Sequence, residues 1–200
     1  LNQNNHFIAT LLDNSKQSLC NVSAIDIGTV TDVDVNNSLC DKCNGLLINP
    51  FLDGVTHINV YSKAHTQLGK FLSNFALSPI ETEDGNFKSI EGYWYWLLSK
   101  DDRLRKLFGF SAKKLGRSIT GEINKDDDED FKLKIKIAFV KKISLNEKMW
   151  NELRNTKVPL THYYVMNGIA VFPKHGNWLV EFIDDMRIGE SNEPESYLQR

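Results

Sequence analysis

The sequence predicts an α+β domain rich in helices, carrying an N-terminal extension, and three observations lead there. Segments with helical periodicity outnumber those with strand alternation and do not take turns with them, which argues against a doubly wound parallel sheet. A chain of 200 residues that is 41% hydrophobic, 10% aromatic and 25% charged has apolar surface for one core and no room for two full-sized domains. The texture also changes near Val55: residues 1–55 are rich in Asn, Asp and Ser and hold none of the four Trp. We therefore divide the chain into an extension of unknown role (1–55), a functional domain (56–190) and a polar tail with Pro194 (191–200).

The elements follow in order. Val30–Val35 alternates as a half-buried strand does, and Ile58–Tyr61 reads as a short strand. Leu68–Ser78 reads as irregular, and Glu83-Asp84-Gly85-Asn86 is a turn signal between Ile80 and Phe87. Ile90–Ser99 is apolar nearly all round, as a buried helix is. Ser111 is placed to cap a short helix running to Arg117. Phe131–Ile137 alternates with period two and, taken alone, reads as a strand. Ser144 and Glu147 form a capping-box pattern opening a helix to about Asn155. Asn177 is the expected cap of a last amphipathic helix with Leu179, Val180, Phe182, Ile183 and Met186 on one face.

Several classes are excluded or disfavoured. No run reaches the ~18–20 apolar residues of a membrane helix, and Leu1–Asn5 lacks the basic and apolar regions of a signal peptide. A cytoplasmic protein without a membrane partner is expected. Three cysteines do not make a secreted disulfide scaffold. Cys40 and Cys43 form a bare CxxC that only Cys20 and a distant residue such as His6 could complete to four zinc ligands, so inert thiols, no metal and no cofactor are expected. The net charge of −2 is strongly patterned. Arg103, Arg105, Lys106, Lys113, Lys114 and Arg117 come without an acid, residues 126–130 are five acids in a row, and Lys132, Lys134, Lys136, Lys141 and Lys142 follow. Such blocks read as solvated faces, the alternative being a basic patch that faces a phosphate-bearing ligand.

Chemistry concentrates between Leu68 and Trp96. Leu68–Phe75 sets polar Ser73 and Asn74 between aromatic anchors, and Glu91 is the only acid between Asp84 and Asp101. It falls in the first turn of a helix and is followed by Tyr93-Trp94-Tyr95-Trp96. The helix N-terminus favours its ionised form, whereas aromatic surroundings desolvate it and raise its pKa. A general acid or base suits such a setting. The same residues also fit a dipole-stabilising carboxylate beside an ordinary aromatic core.

Leu72-Ser73-Asn74-Phe75, Pro79-Ile80, Asp84-Gly85-Asn86-Phe87 and Ser89-Ile90-Glu91 together resemble the opening signature of the NADAR, or YbiA-like, family. The resemblance continues through Ala112–Arg117 and Lys142-Ile143 to Asn177-Trp178-Leu179 and a helix ending at Arg187, in family order. It implies a YbiA-like fold, helical across Phe131–Val140, and cleavage of N-glycosidic bonds on ribose-containing ligands. Its key carboxylate falls on Glu91. A lysine common in the family falls on Lys113, whose amine would permit a Schiff base with the opened ribose. Lys113, Lys114 and Arg117 suit a pyrophosphate. The candidate ligand-binding residues are Tyr61, Ser73, Asn74, Phe75, Trp94, Arg117, His162, Tyr164 and Asn177.

The chain also departs from the family pattern. Gly92 stands where a His usually follows the catalytic Glu, and the lysine usual further along that helix is missing near Leu98. Acids replace a Trp before the central helix. Thr161–Gly168 replaces a Trp-Gly motif, with His162, Tyr163 and Tyr164 as a substituted wall. These departures suggest a branch distinct from the riboflavin-pathway members. The reading is an N-glycosidase that removes ADP-ribose from guanine in DNA and so reverses a DarT-type toxin. The alternatives are a hydrolase of phosphoribosyl-amine intermediates and a non-catalytic reader of ADP-ribose or NAD. The implied partners are ADP-ribosylated guanine in DNA or a nucleotide-like small molecule, with an ADP-ribosyltransferase toxin as functional counterpart.

Overall fold

The computed structural model describes residues 48–189 together with Pro194 and Ser196. The expected strand at Val30–Val35, the Cys40/Cys43 pair with Cys20 and His6, and most of the 191–200 tail lie outside the described residues. Secondary structure begins with a 3₁₀ turn at Pro50–Leu52 and β1 (Ile58–Asn59). Then come α1 (Gln67–Leu72), β2 (Ile80–Thr82), β3 (Gly85–Phe87), α2 (Ile90–Ser99), a second 3₁₀ turn (Asp102–Lys106) and α3 (Gly109–Thr120). The chain continues through α4 (Glu129–Ser144), α5 (Glu147–Asn155), β4 (Leu160–Thr161), β5 (Tyr164–Met166), β6 (Ile169–Val171) and α6 (Asn177–Ile188). Helices and short two-stranded ladders mix without regular alternation, an α+β arrangement.

The described residues fall into two compact units, one of 48–51 with Tyr164–Phe172, the other of Leu52–Tyr163 and the residues from Pro173 on. In the first, β5 and β6 make an antiparallel hairpin, Tyr164 opposite Val171. Its turn uses Asn167 and Gly168, both at positive φ, as a tight hairpin turn requires. In the second, β1 and β4 pair in parallel, and β2–β3 is the hairpin that the Glu83–Asn86 turn signal predicts. Its core joins Phe87, Ile90, Tyr93 and Trp96 to Ile135, Phe139 and Ile143 of α4, Trp150 and Leu153 of α5, and Ile183 and Met186 of α6. The hairpin is pinned by Asp84, which accepts hydrogen bonds from the Tyr93 hydroxyl at 2.8 Å and from Lys134 Nζ at 3.0 Å.

Several expected boundaries are corrected. Leu68–Leu72, expected to be irregular, lies in α1, because Thr66 accepts a hydrogen bond from the Gly69 N–H and caps it. Helix α3 begins at Gly109, two residues before the expected Ser111 cap, and continues past Arg117 to Thr120 without a side-chain cap. Ser144 is the last residue of α4, where its hydroxyl donates back to Val140 O, and Asn146 caps α5 instead by accepting from the Met149 N–H. Asn177 is the first residue of α6, not its cap; Gly176, at φ +87°, precedes it and donates its N–H to Asp126. The period-two pattern at Phe131–Ile137 is overridden: the segment is helical, as the family resemblance implies, and buries Phe131, Ile135, Ala138, Phe139 and Lys142 along one helical face.

Lys142 corrects another expectation. Read with its neighbours as part of a solvated basic face, it is 1% exposed. Its ammonium donates to Ser73 O at 2.9 Å and lies 4.9 Å from the centre of the Phe71 ring and 5.5 Å from that of Phe139. No carboxylate pairs with it among the described residues. Burial therefore pushes its pKa down to about 7. Between that value and the ordinary lysine value near 10.5 the unfolded chain binds a proton that the folded chain refuses, so folding is favoured as pH rises through this window. Urea denaturation of Lys142→Met across this range should show a stability gain over the parent, of order 1–3 kcal/mol near pH 7, that shrinks towards pH 10.5. A difference independent of pH would show that Lys142 is buried without cost to its charge.

Candidate active site

Glu91 is held by backbone geometry before its side chain is considered. Ser89 caps α2, accepting from Gly92 N at 3.0 Å while its hydroxyl donates to Leu107 O. The Glu91 N–H donates to Asn74 O at 3.0 Å, which fixes the turn after α1 against the first turn of α2. Lys142 holds the preceding carbonyl, Ser73 O. The Ser73 hydroxyl accepts from Phe75 N at 3.2 Å, so this serine shapes the turn in addition to lying in it. Gly92 leaves no room for a side chain: a Cβ there would lie 2.6 Å from Leu104 O and 3.0 Å from Leu107 O.

The side chain of Glu91 faces α3. Lys113, Gly116 and Arg117 share one face of that helix by their i, i+3 and i+4 spacing. Gly116 brings the two helices together, since a Cβ there would enter the Tyr95 ring. Glu91 is only 8% exposed, and among the described residues no side chain donates a hydrogen bond to its carboxylate. Burial pushes its pKa up to about 7, against the opposing pull of Lys113 and then Arg117. Of the two influences legible in the sequence, desolvation wins over the helix N-terminus.

Six further candidates adjoin this centre. Lys113 Nζ lies over the Phe75 ring, 5.5 Å from its centre. The Asn74 Oδ1 atom is buried and has no hydrogen-bond partner, so an acceptor beside Glu91 is left for a ligand hydroxyl. Tyr61 and His162 follow the paired strands β1 and β4, their rings 6.3 Å apart. His162 Nδ1 lies 2.7 Å from Val60 O, and a carbonyl only accepts, so Nδ1 carries the proton. Burial lowers the His162 pKa, the Val60 bond opposes this, and the charge of Lys113 lowers it further. Lys113 thus acts on both Glu91 and His162. Arg117 pairs with Glu122 at 3.0 Å.

Three candidates are placed differently. Trp94 packs edge-on against Phe131, centroids 4.7 Å apart, and stacks with Trp178 at 6.0 Å, which is core packing between α2, α4 and α6. Asn177 is an exposed residue in the first turn of α6. Tyr164 belongs to the β5–β6 hairpin of the other unit. The sequence reading missed Tyr95 as the ring that separates α2 from α3, and Lys142 as the anchor of the Ser73 turn. Once 129–144 is read as a helix, Lys142 falls on the face of Phe131, Ile135 and Ala138, and that spacing is the signal that would have found it. Asn124, Lys125 and the acids 127–130 line a separate hollow of about 560 Å³ that shares no residue with the Glu91 centre. Among the described residues no group of His, Cys, Asp and Glu is placed to hold a metal ion.

The raised Glu91 pKa carries a stability consequence. From the ordinary glutamate value near 4.5 up to about 7, the folded state keeps a proton that the unfolded state loses, so Glu91 costs stability progressively as pH rises. Thermal or urea unfolding should find Glu91→Gln more stable than the parent by about 2–3 kcal/mol at pH 8, the gap closing below pH 4.5. Equal stability at both pH values would contradict the burial of the charge. Compared with known proteins, the chain matches no family model, no curated protein and no solved structure.

Proposed function

We propose that this chain is an N-glycosidase that hydrolyses an ADP-ribosyl adduct, removing ADP-ribose from guanine in DNA and so reversing a DarT-type toxin in the cytoplasm. The observation that carries the reading is the pairing of a buried carboxylate of pKa about 7 with cations on the facing helix. That acid is half ionised near neutrality, so either form is available at little cost. The protonated form gives its proton to the departing base nitrogen as the C1′–N bond breaks. The ionised form stabilises the oxocarbenium-like ribose and takes a proton from the water that adds to C1′. The products are the free base edge and ADP-ribose, and the acid returns to its starting state.

Lys113, with Arg117, supplies positive charge for the pyrophosphate. Asn74 Oδ1 accepts from a ribose hydroxyl, and Phe75 and Tyr61 provide flat walls. His162, neutral and with its Nδ1 proton committed to Val60, is held in one tautomer. A Schiff-base route through Lys113 is the variant mechanism, and full turnover by Lys113→Arg would eliminate it.

Incubation with a DNA oligonucleotide carrying ADP-ribosylated guanine, followed by mass spectrometry, tests the reading. The parent should release ADP-ribose, and Glu91→Gln should be at least about a hundredfold slower. Release at equal rates by both would remove Glu91 from the mechanism. Binding of ADP-ribose without release by either would turn the site into a reader.

A further inference from the structure

The rim of this site carries a surface that the proposed chemistry does not use. Phe110 is 71% exposed and Phe108 45%, on either side of Gly109, whose Cβ position is 3.6 Å from Phe75 O. Exposed Leu77 (58%) belongs to the same rim: the next residue, Ser78, donates its N–H to Lys88 O, and the Lys88 N–H donates to Arg105 O. Large exposed rings grouped beside a site are unusual on a water-facing surface. The surface is also cationic. No acid occurs between Arg103 and Thr120. Arg103, Arg105 and Arg117 are matched by Asp101, Asp102 and Glu122, whereas the exposed Lys88, Lys106 and Lys114 form no ion pair among the described residues.

We propose that Leu77, Lys88, Lys106, Phe108, Phe110 and Lys114 form a docking track for a single-stranded polynucleotide. Bases stack on Phe110 and Phe108, while the three lysines neutralise backbone phosphates. Unstacked bases offer the π-faces that these rings need, and bases in a duplex do not, so the occupant is a single strand. The track runs to Phe75 and so leads a modified base towards Glu91. In this respect it deepens the glycosidase reading and rests on it, although strand binding by itself requires no chemistry.

The test uses fluorescein-labelled, unmodified 12-nucleotide single strands, one of mixed sequence and one abasic, with binding measured by anisotropy over a range of salt. The parent should bind the mixed strand with an affinity that falls as salt rises. Phe110→Ala should weaken it roughly tenfold or more, and the abasic strand should bind the parent comparably weakly. Lys106→Ala with Lys114→Ala should reduce the salt slope by about 1.4, the value for two phosphate contacts on a single strand. Equal affinity for both strands with no effect of Phe110→Ala would overturn the proposal, as would tighter binding of a duplex of the same length. So would the absence of salt-dependent strand binding, which would leave the rim to a protein partner. Release of ADP-ribose from a modified guanosine, too small to use the track, is measured alongside and should be unchanged in Phe110→Ala. Strand binding that depends on Phe110, with no release from any substrate, would support the track and sink the glycosidase. Release from the nucleoside without strand binding would do the reverse.

Discussion

Helix α2 buries Glu91 because the donors of its first turn are already matched elsewhere. The Gly92 N–H goes to the Ser89 hydroxyl, and the Glu91 N–H goes to Asn74 O. A carboxylate in such a position often accepts one of those donors and is stabilised in its ionised form. Here both of these donors are taken. The side chain instead enters the seam between α2 and α3, where the missing Cβ of Gly116 lets Tyr95 close the helices over it. The turn that receives the Glu91 N–H is in turn held by a buried amine, Lys142 on Ser73 O. Two titratable groups with pKa values displaced to about 7 from opposite directions therefore frame one short turn.

Such an arrangement lowers stability, a pattern associated with functional sites. The structure offsets the cost locally. Asp84 ties the β2–β3 turn to Tyr93 and Lys134, and Arg105 lies against the Phe87 and Trp96 rings while reaching Asp84 O. A second buried polar group, His57 with its Nε2 2.7 Å from the Tyr163 hydroxyl, reinforces the β1–β4 ends that carry Tyr61 and His162. The elements bearing the candidate residues are thus fixed by well-paired neighbours, while the buried Asn74 Oδ1 has no hydrogen-bond partner.

Much of this was legible in the sequence, though unevenly. Helix α2 was recovered at both ends because Ile90–Ser99 is apolar nearly all round. The β2–β3 turn followed from Asp84-Gly85. Glu91 stood out as a lone acid among rings, but the sequence could not decide between the helix terminus and desolvation, because that balance depends on α3 packing across the helix. The misread caps differ in cause. Ser111, Ser144 and Asn177 are good cappers by type, yet Asn146 caps in place of Ser144, and the start of α6 is set by the long-range contact of Gly176 with Asp126. Lys142 was hidden by its lysine-rich neighbours, and Trp94 by lying one residue from rings that line other faces of α2. Rotation about a helix axis separates such residues completely, and only the fold supplies it.

The account depends most directly on the protonation of one carboxyl group. Titration of the Glu91 side-chain carboxyl by ¹³C NMR in the intact protein, assigned by its loss in Glu91→Gln, reads that group alone. A midpoint near pH 7 is the result the account predicts. A midpoint at the ordinary glutamate value near 4.5 would contradict it, because the carboxylate would then be solvated and ionised at neutral pH, and unable to serve as the proton donor that the proposed cleavage needs.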